Sequence, residues 1–185
     1  MTDLKPTFRW HELIRSLSPP PPDPVTFKRI LAWGQEAHSD IQKILTETYG
    51  ASGTPHLLDV EKSGVYEEEE MPFKIRWHID LYDRRTDTMY EIKPLVWWMQ
   101  HLDYCIAQAS GYWQFCGAKN AYFIIYQNAD KKSDGSRGKR LLSLLPVPRK
   151  PWVELREIAQ KEYKESEIVK YKGLNNVKDK AGIDA

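Results

Sequence analysis

Hydrophobic and polar positions along this chain follow two periods, one typical of helices and one typical of strands. Apolar residues at helical spacing predict a first long helix that begins with Thr26 as its N-cap and ends at residue 48. The same spacing predicts a second long helix over about residues 97–116 and a third over about residues 152–170. A short amphipathic helix is predicted over residues 7–17, ahead of the proline run 19–22.

Runs of β-branched and aromatic residues predict five strands, over residues 56–66, 75–82, 89–93, 121–126 and 141–145. The first three follow one another without an intervening helix and are expected to form a meander. Helix, meander, helix, two strands and helix is the order typical of an α/β (α+β) fold. We therefore expect a central mixed sheet flanked by helices.

Composition indicates an ordinary globular protein. The chain has 185 residues, of which 41% are hydrophobic and 29% charged, and its net charge is only +1, so any surface for nucleic acid must be local. We expect one domain over residues 26–172, an N-terminal helix and proline-rich spacer over 1–25, and a flexible tail over 173–185. No apolar run approaches the ~20 residues of a membrane span and no signal-peptide core is visible, so we expect an intracellular, cytoplasmic protein without membrane contact.

The hairpin of residues 74–93 carries charges where a sheet usually buries apolar side chains. Side chains alternate faces along a strand, so Glu91 and Lys93 share one face and the partner strand brings Asp80 beside them. Buried charges must be paired or bound to metal, and a divalent cation held by the two carboxylates meets this requirement. The alternative is a solvated ion pair of Glu91 and Lys93 on the outer face, with Asp80 uninvolved.

Two of the predicted helices contribute further candidates. His38 lies on the apolar stripe of the first long helix, one turn after Gly34, and is either a hydrogen-bonded core residue or a ligand. Glycine in a helix interior costs ~1 kcal/mol relative to alanine, which predicts that something packs closely at Gly34. Gln108 and Tyr112 are neighbours on one face of the second long helix, either as a surface pair or as part of a site.

Less specific signals surround these candidates. Glu61 is a candidate inward-facing residue. His78, two residues before Asp80, either supports the residues of the site or has an outward or packing role, and the outward or packing role is favoured. A basic loop rich in glycine and serine follows the fourth strand. It is either a phosphate-binding segment or a solvated hairpin tip, and both interpretations stay open for Lys131, Lys132, Arg137, Lys139 and Arg140.

Set on the predicted elements, these residues form one ordered pattern that resembles the PD-(D/E)XK nuclease superfamily. Within it, the pattern is similar to the RecB-like branch, which includes CRISPR-associated RecB-like exonucleases and phage and archaeal-virus nucleases. The resemblance covers roughly residues 26–127, leaves a phage or viral origin open, and implies a restriction-endonuclease-like core. Its four motifs are Gly34-x-x-x-His38, Ile79-Asp80, Glu91-Ile92-Lys93 and Gln108-x-x-x-Tyr112.

The resemblance implies a role for each residue of the pattern. Mg²⁺ or Mn²⁺ would be held by three side chains and one backbone carbonyl, those of His38, Asp80, Glu91 and Ile92. Lys93 would position or help to deprotonate the attacking water, and Gln108 and Tyr112 would line the site. The implied reaction is metal-assisted hydrolysis of DNA phosphodiester bonds, by an exonuclease or end-processing enzyme. The alternatives are a structure-selective endonuclease of the same superfamily and a catalytically silent DNA-binding or scaffold module.

The chain departs from the family pattern in three respects. Trp77 stands where the family often has glycine, so either the DNA path beside Asp80 is narrower or the indole stacks on a base. Only Cys105 and Cys116 are present, so no iron–sulfur cluster is expected. No helicase segment is visible, so a second copy of the chain or a recombination or replication protein is expected as partner.

Overall fold

In the computed structural model of the chain, the described residues are 4–18, 23–54, 57–127, 133–134 and 140–181. Within α2 and α5 the side chains of residues 27, 168–169 and 171–181 are not described. The elements, in chain order, are β1 Thr7–Arg9, α1 Trp10–Leu13, a 3₁₀ turn Arg15–Leu17, α2 Pro24–Ala51, β2 Leu58–Tyr66, β3 Lys74–Asp83, β4 Thr88–Pro94, α3 Leu95–Gln100, α4 Leu102–Cys116, β5 Asn120–Gln127, β6 Leu141–Pro146 and α5 Trp152–Ala181.

One six-stranded mixed sheet organises the molecule, with strand order β1-β3-β4-β5-β6 and β2 paired to β3. The meander predicted from the sequence is present, since β2 pairs antiparallel with β3 and β3 pairs antiparallel with β4. The β4–β5 pair is parallel and is connected through α3 and α4, as a parallel pair requires a crossover. The predicted central mixed sheet flanked by helices is confirmed.

Strand pairing along one edge of β3 is interrupted at residues 77–80. Strand β2 pairs with β3 from residue 75 to residue 83 on one edge. On the other edge, β1 pairs with residues 74–76 and β4 pairs with residues 81–83. Between them, residues 77–80 have no strand partner at this edge in the described part of the chain. The backbone groups of residues 77–80 on this edge can therefore form hydrogen bonds with side chains. Asp80 lies at the end of this gap, next to the point where the pairing with β4 begins.

The sheet is covered by apolar clusters on two faces. The larger cluster joins the sheet to α1, α4 and α5 and includes the fully buried residues Trp10, Phe73 and Phe123. The smaller cluster packs Ala37 and Ile41 of α2 against the sheet. Only the second half of α2 is used in this way, because its first half exposes its apolar side chains to solvent. No helix in the described ranges is long and apolar enough to cross a membrane.

The prediction of a helix over residues 7–17 is wrong for its first turn. Residues Thr7–Arg9 form β1, which pairs in parallel with the start of β3, and the amide of Lys74 donates to the carbonyl of Pro6 at 2.8 Å. Trp10 then enters the core with no exposed surface. Pairing with a distant strand outweighs the weak local preference for helix, because it satisfies backbone groups and buries a tryptophan together.

Helix boundaries also differ from those predicted. The N-cap of α2 is Asp23 rather than Thr26: its carboxylate accepts from the amides of Val25 and Thr26 at 3.1 and 3.0 Å, and Pro24 occupies the first helical turn. The predicted helix 97–116 is interrupted at His101, which separates α3 from α4. Helix α5 continues to Ala181, through most of the segment for which the sequence predicts a flexible tail. The proline run 19–22 and residues 182–185 lie outside the described residues.

Tyr49 and Asp83 connect the last turn of α2 to the end of β3. The Tyr49 hydroxyl donates to Asp83 Oδ2 at 2.5 Å, and the Arg85 amide donates to Asp83 Oδ1 at 2.9 Å. Burial acts to raise the pKa of the Asp83 carboxyl, but the hydrogen bonds from Tyr49 and from the amides that follow hold this pKa below its ordinary value. The carboxylate form is therefore favoured by folding.

Replacing Tyr49 with phenylalanine is expected to lower the free energy of unfolding by roughly 1.5–3 kcal/mol at pH 7, the range for a hydrogen bond to a charged group. Because the pKa of Asp83 is lowered in the folded state, its contribution is present above the ordinary carboxyl value of about 4 and is lost as the pH falls through the folded value. Urea unfolding of wild type and Tyr49→Phe at several pH values measures this. A stability difference that does not shrink below about pH 4 would contradict the assignment.

Candidate active site

Asp80 and Glu91 meet where β3 and β4 separate. The last residues that pair across these strands on this side are Leu81 and Tyr90, so the two carboxylates occupy the next positions, beyond the ladder. Asp80 Oδ2 accepts the backbone amide of Ile92 at 2.7 Å, in place of a strand partner. Asp80 is 5% exposed and Glu91 3% exposed. The alternative of a solvated surface ion pair is therefore wrong, because both carboxylates are buried.

His38 and Lys93 approach this pair from two sides. His38 belongs to α2, and its Nδ1 lies 3.4 Å from Asp80 Oδ1. Lys93 Nζ lies 3.5 Å from Glu91 Oε2 and donates to Gln108 Oε1 of α4 at 2.6 Å. As the alternation along β4 predicts, Lys93 faces α4, whereas the Ile92 side chain is buried against α2. Gln108 is thus tied to the site by its own hydrogen bond.

The environment of the site shifts the pKa values of the two carboxyl groups in opposite directions. Burial and the nearby charge of Asp80 raise the pKa of Glu91 well above its ordinary value. Burial also acts to raise the pKa of Asp80, but the hydrogen bond and charge of His38, with Lys93 and the Ile92 amide, hold it below its ordinary value. Burial acts to lower the pKa of Lys93, yet the charges of Glu91 and Asp80 leave it raised. Lys93 therefore carries its proton at neutral pH and can donate hydrogen bonds to water or to a phosphate oxygen.

The residues present fit a hard divalent cation. Glu91 Oε1 is fully enclosed and has no hydrogen-bond partner among the described residues, which is costly for a carboxylate oxygen. Two buried carboxylates, one imidazole and a backbone carbonyl form a donor set that is rich in oxygen, which suits Mg²⁺ or Mn²⁺ better than zinc. A cation bound to Glu91 Oε1 would give this oxygen a partner and would reduce the repulsion between the two carboxylates.

Gln42, Glu61 and His78 lie beside this centre and have no assigned role in the sequence pattern. Glu61 of β2 has a φ of 55°, which is rare for a residue other than glycine, and it interrupts the Cα register opposite Asp80. Its carboxylate accepts from Gln42 Nε2 at 2.6 Å and lies 3.0 Å from His78 Nε2, and Gln42 also donates to the Asp80 carbonyl at 3.1 Å. Ligand atoms of Glu61, His78 and Asp80 all lie within 4.8 Å of one another, so this group could also hold a cation.

Of these three, Glu61 and His78 had a signal in the sequence. Glu61 is a charged residue in the middle of a predicted strand, and His78 precedes Asp80 by two positions and so shares its face. The outward position predicted for His78 agrees with its exposed imidazole, and the structure adds that this imidazole lies on the wall of the cleft that contains Asp80. Gln42 had no signal that distinguishes it from a surface glutamine.

All of these groups open into a single cleft with a volume of about 620 Å³. It brings together every residue for which the sequence pattern implies a role in the chemistry, namely His38, Asp80, Glu91, Ile92, Lys93, Gln108 and Tyr112. The prediction that something packs closely at Gly34 is wrong: a Cβ added there would meet nothing within 4 Å. Gly34 instead lies on the wall of the cleft.

The residues predicted to bind nucleic acid are placed less favourably. Trp77 is 8% exposed and packs across Gly64, where an added Cβ would come within 2.6 Å of the indole, so Trp77 is a core side chain rather than an open stacking surface. Arg140 pairs with Asp40 at 3.1 Å and lies over the ring of Tyr126 at the edge of the cleft. The other members of the basic loop, Lys131, Lys132, Arg137 and Lys139, lie outside the described residues.

Comparison with known proteins gives structural relatives only. No family model matches the chain, and no curated protein matches it. A solved structure described as that of SSO0001 is similar at a TM-score of 0.54, with 12% identity over 89% of this chain and 78% of the other. An alkaline exonuclease (LHK-Exo) from Laribacter hongkongensis is similar at a TM-score of 0.50, with 13% identity over 97% of this chain and 95% of the other.

At these identities the comparisons establish the fold. The chain has a mixed α/β fold that it shares with an alkaline exonuclease. This confirms the fold that the sequence pattern implies. Membership of the PD-(D/E)XK superfamily, and of its RecB-like branch, stays a prediction.

Proposed function

We propose that this protein is a metal-dependent DNA nuclease that hydrolyses phosphodiester bonds. One observation carries the proposal: the enclosed Asp80–Glu91 pair, with an unpartnered oxygen on Glu91, faces the protonated Lys93 at the base of an open cleft. Carboxylates buried at this cost are typical of functional sites rather than of packing. The fold shared with an alkaline exonuclease makes nuclease activity the activity that fits this site best.

The cofactor in this proposal is Mg²⁺ or Mn²⁺. The ligands would be Asp80 and Glu91 with His38 and the carbonyl of Ile92, and no iron–sulfur cluster takes part. When bound, the cation supplies a Lewis acid that activates water and neutralises charge on the phosphoryl group. Glu61 and His78 provide a second group of donors on the Asp80 side of the cleft.

The remaining residues act on the substrate directly or position those that do. Lys93 donates hydrogen bonds from Nζ to the attacking water or to a phosphate oxygen, where charge builds up in the transition state. Gln108 accepts a hydrogen bond from Lys93 at 2.6 Å and so fixes the position of Nζ. Tyr112 is 5% exposed, and burial raises the pKa of its hydroxyl well above the ordinary value, so it remains a neutral group on the wall of the cleft.

Cleavage of end-labelled linear DNA and of closed circular DNA, with Mg²⁺, Mn²⁺ or EDTA, tests the proposal. We expect metal-dependent loss of the linear DNA alone, as for an exonuclease or end-processing enzyme. Nicking of the circle would instead show a structure-selective endonuclease. A well-folded protein that cleaves neither substrate with any metal would be a silent DNA-binding or scaffold module, and the proposal of a nuclease would be wrong.

Metal binding itself is expected to raise the thermal stability of the protein. At a metal concentration 100 times the Kd, binding stabilises the folded state by ~2.7 kcal/mol, which corresponds to a rise in Tm of about 5–10 °C for a chain of this size. The rise is expected to be largely lost in Glu91→Gln, which keeps the shape of the side chain but removes its charge.

Calorimetry with and without Mg²⁺ or Mn²⁺ measures this effect. The matched control is Glu157→Gln, a change at an exposed carboxylate on α5 that does not line the cleft, and it should show the full rise. An equal rise in wild type and Glu91→Gln would remove Glu91 from the metal site.

A further inference from the structure

The first half of α2 exposes a row of apolar side chains where it borders the cleft. Ile30 is 39% exposed, Leu31 46% and Trp33 55%. All three lie on the wall of the cleft that contains Asp80 and Glu91 at its base. The helix could have carried polar residues here without loss of packing, because this half does not contribute to the buried cluster that holds the second half against the sheet.

This apolar row is continuous with the candidate active site. Gly34 follows Trp33 directly, and a Cβ at Gly34 would meet nothing within 4 Å, so the space in front of the row is open. Trp97 of α3 and Tyr126 of β5 line the same cleft. Single exposed apolar residues are normal on a protein surface, but several that share one concave wall indicate a binding surface.

The chemistry of the cleft selects its occupant. A ligand that fills it must place a flat or apolar group on the α2 wall and an anionic group near Lys93 and the metal ligands. A partner helix would bring an apolar stripe onto the buried charges at the base, which is unfavourable. A nucleotide of a DNA strand meets both requirements, because its base is planar and its phosphate is anionic.

Resting on the proposed nuclease function, we infer that Trp33 is a stacking surface for an unpaired base of the DNA strand whose phosphate lies at Asp80, Glu91 and Lys93. A base inside a duplex has both faces covered by its neighbours and so cannot lie flat on an indole. The substrate class is therefore single-stranded DNA, or a DNA end whose terminal bases are unpaired.

The charges around Trp33 agree with this occupant. The guanidinium of Arg29 lies over one face of the Trp33 ring, 5.4 Å from its centre, as a cation–π contact, so the base would stack on the other face. A cation at that place also suits the next phosphate along the strand. Trp33 thus takes the stacking role that the sequence suggested for Trp77, whose ring is in the core.

The test is equilibrium binding of a single-stranded oligonucleotide of about 12 nucleotides that contains 2-aminopurine, a base whose fluorescence falls when it stacks on an aromatic ring. The full chain is used with Mg²⁺ in a Lys93→Ala background, so that the strand remains uncleaved. Trp33→Ala is compared with Trp33→Phe, which keeps an aromatic ring. The matched control is Ile44→Ala, since Ile44 is also 55% exposed on α2 but lies outside the cleft.

We expect Trp33→Ala to weaken binding of the single strand by roughly 5- to 150-fold, the equivalent of ~1–3 kcal/mol for one stacked base, and to abolish the fluorescence decrease. Trp33→Phe should restore most of both, and Ile44→Ala should change neither. Binding of a blunt duplex of the same sequence should respond little to Trp33→Ala.

Unchanged binding of the single strand in Trp33→Ala would overturn the inference, as would an equal loss for the single strand and the blunt duplex. Failure of this inference is separable from failure of the nuclease proposal. Wild-type protein that cleaves DNA while Trp33 is dispensable rejects only the stacking role. Protein that cleaves nothing, but binds through Trp33, rejects only the nuclease activity.

Discussion

Lys93→Ala is expected to reduce DNA cleavage by roughly 10²–10⁴-fold, the range for loss of one positioned proton donor or charge-stabilising group. Lys93 Nζ is held by Gln108 at 2.6 Å and lies 3.5 Å from Glu91, so it is fixed at the base of the cleft rather than free in solvent. The variant should still fold and still be stabilised by Mg²⁺ or Mn²⁺, because the proposed ligands remain.

Single-turnover cleavage of linear DNA, measured beside thermal unfolding with and without metal, separates the two effects. Lys119→Ala is the matched control. Lys119 is exposed and lies directly before the first residue of β5, whereas the site lies near the last residues of this strand. The assignment of Lys93 would be wrong if the variant retained wild-type cleavage. Loss of metal stabilisation together with cleavage would instead place Lys93 in the support of the metal ligands.

Gly111→Ala is expected to destabilise the fold by about 3–5 kcal/mol, comparable with the truncation of a buried tryptophan. Gly111 of α4 lies directly beneath the indole of Trp10, and an added Cβ would overlap the ring. The indole has no room to move aside, since Trp10 has no exposed surface and its ring N–H donates to the Ala107 carbonyl at 3.3 Å. The N-terminal segment would have to leave its place against α4.

Urea unfolding measures this loss, which is a large fraction of the 5–15 kcal/mol that stabilises a typical domain. Gly50→Ala is the matched control, since an added Cβ there meets nothing within 4 Å and the helix α2 should gain slightly from alanine. Wild-type stability in Gly111→Ala would show that Trp10 does not pack as the structure describes.

The site residues could be found from the sequence because strand periodicity is a local property. A charged residue on the buried face of a strand is conspicuous, so the alternation along β3 and β4 makes Asp80, Glu91 and Lys93 candidates, and the pattern on the neighbouring helices favours a site over a solvated ion pair. Their burial confirms the alternation that led to them. The roles assigned to them, to His38 and to Gln108 remain predictions that the variants above address.

Other features could not be found, because they depend on contacts between distant segments. Thr7–Arg9 become a strand only through the edge of β3 more than sixty residues away. The helical position of Gly34 predicts close packing, but the first half of α2 extends past the sheet and leaves it open. The place of Trp77 beside Asp80 suggests contact with a base, but its ring fills the space above Gly64.

The sequence by itself determined the order of the main helices and strands from α2 onward, the fold class and the candidate charged residues at the centre, since each follows from periodicity within a short segment. Only the tertiary structure decided that β3 and β4 separate at Asp80, that Gln42, Glu61 and His78 join the site, and that Trp33 lines its wall. The physical reason is that local preferences set which residues can share a face. The places where strands part and helices stand away from the sheet depend on packing of the whole chain.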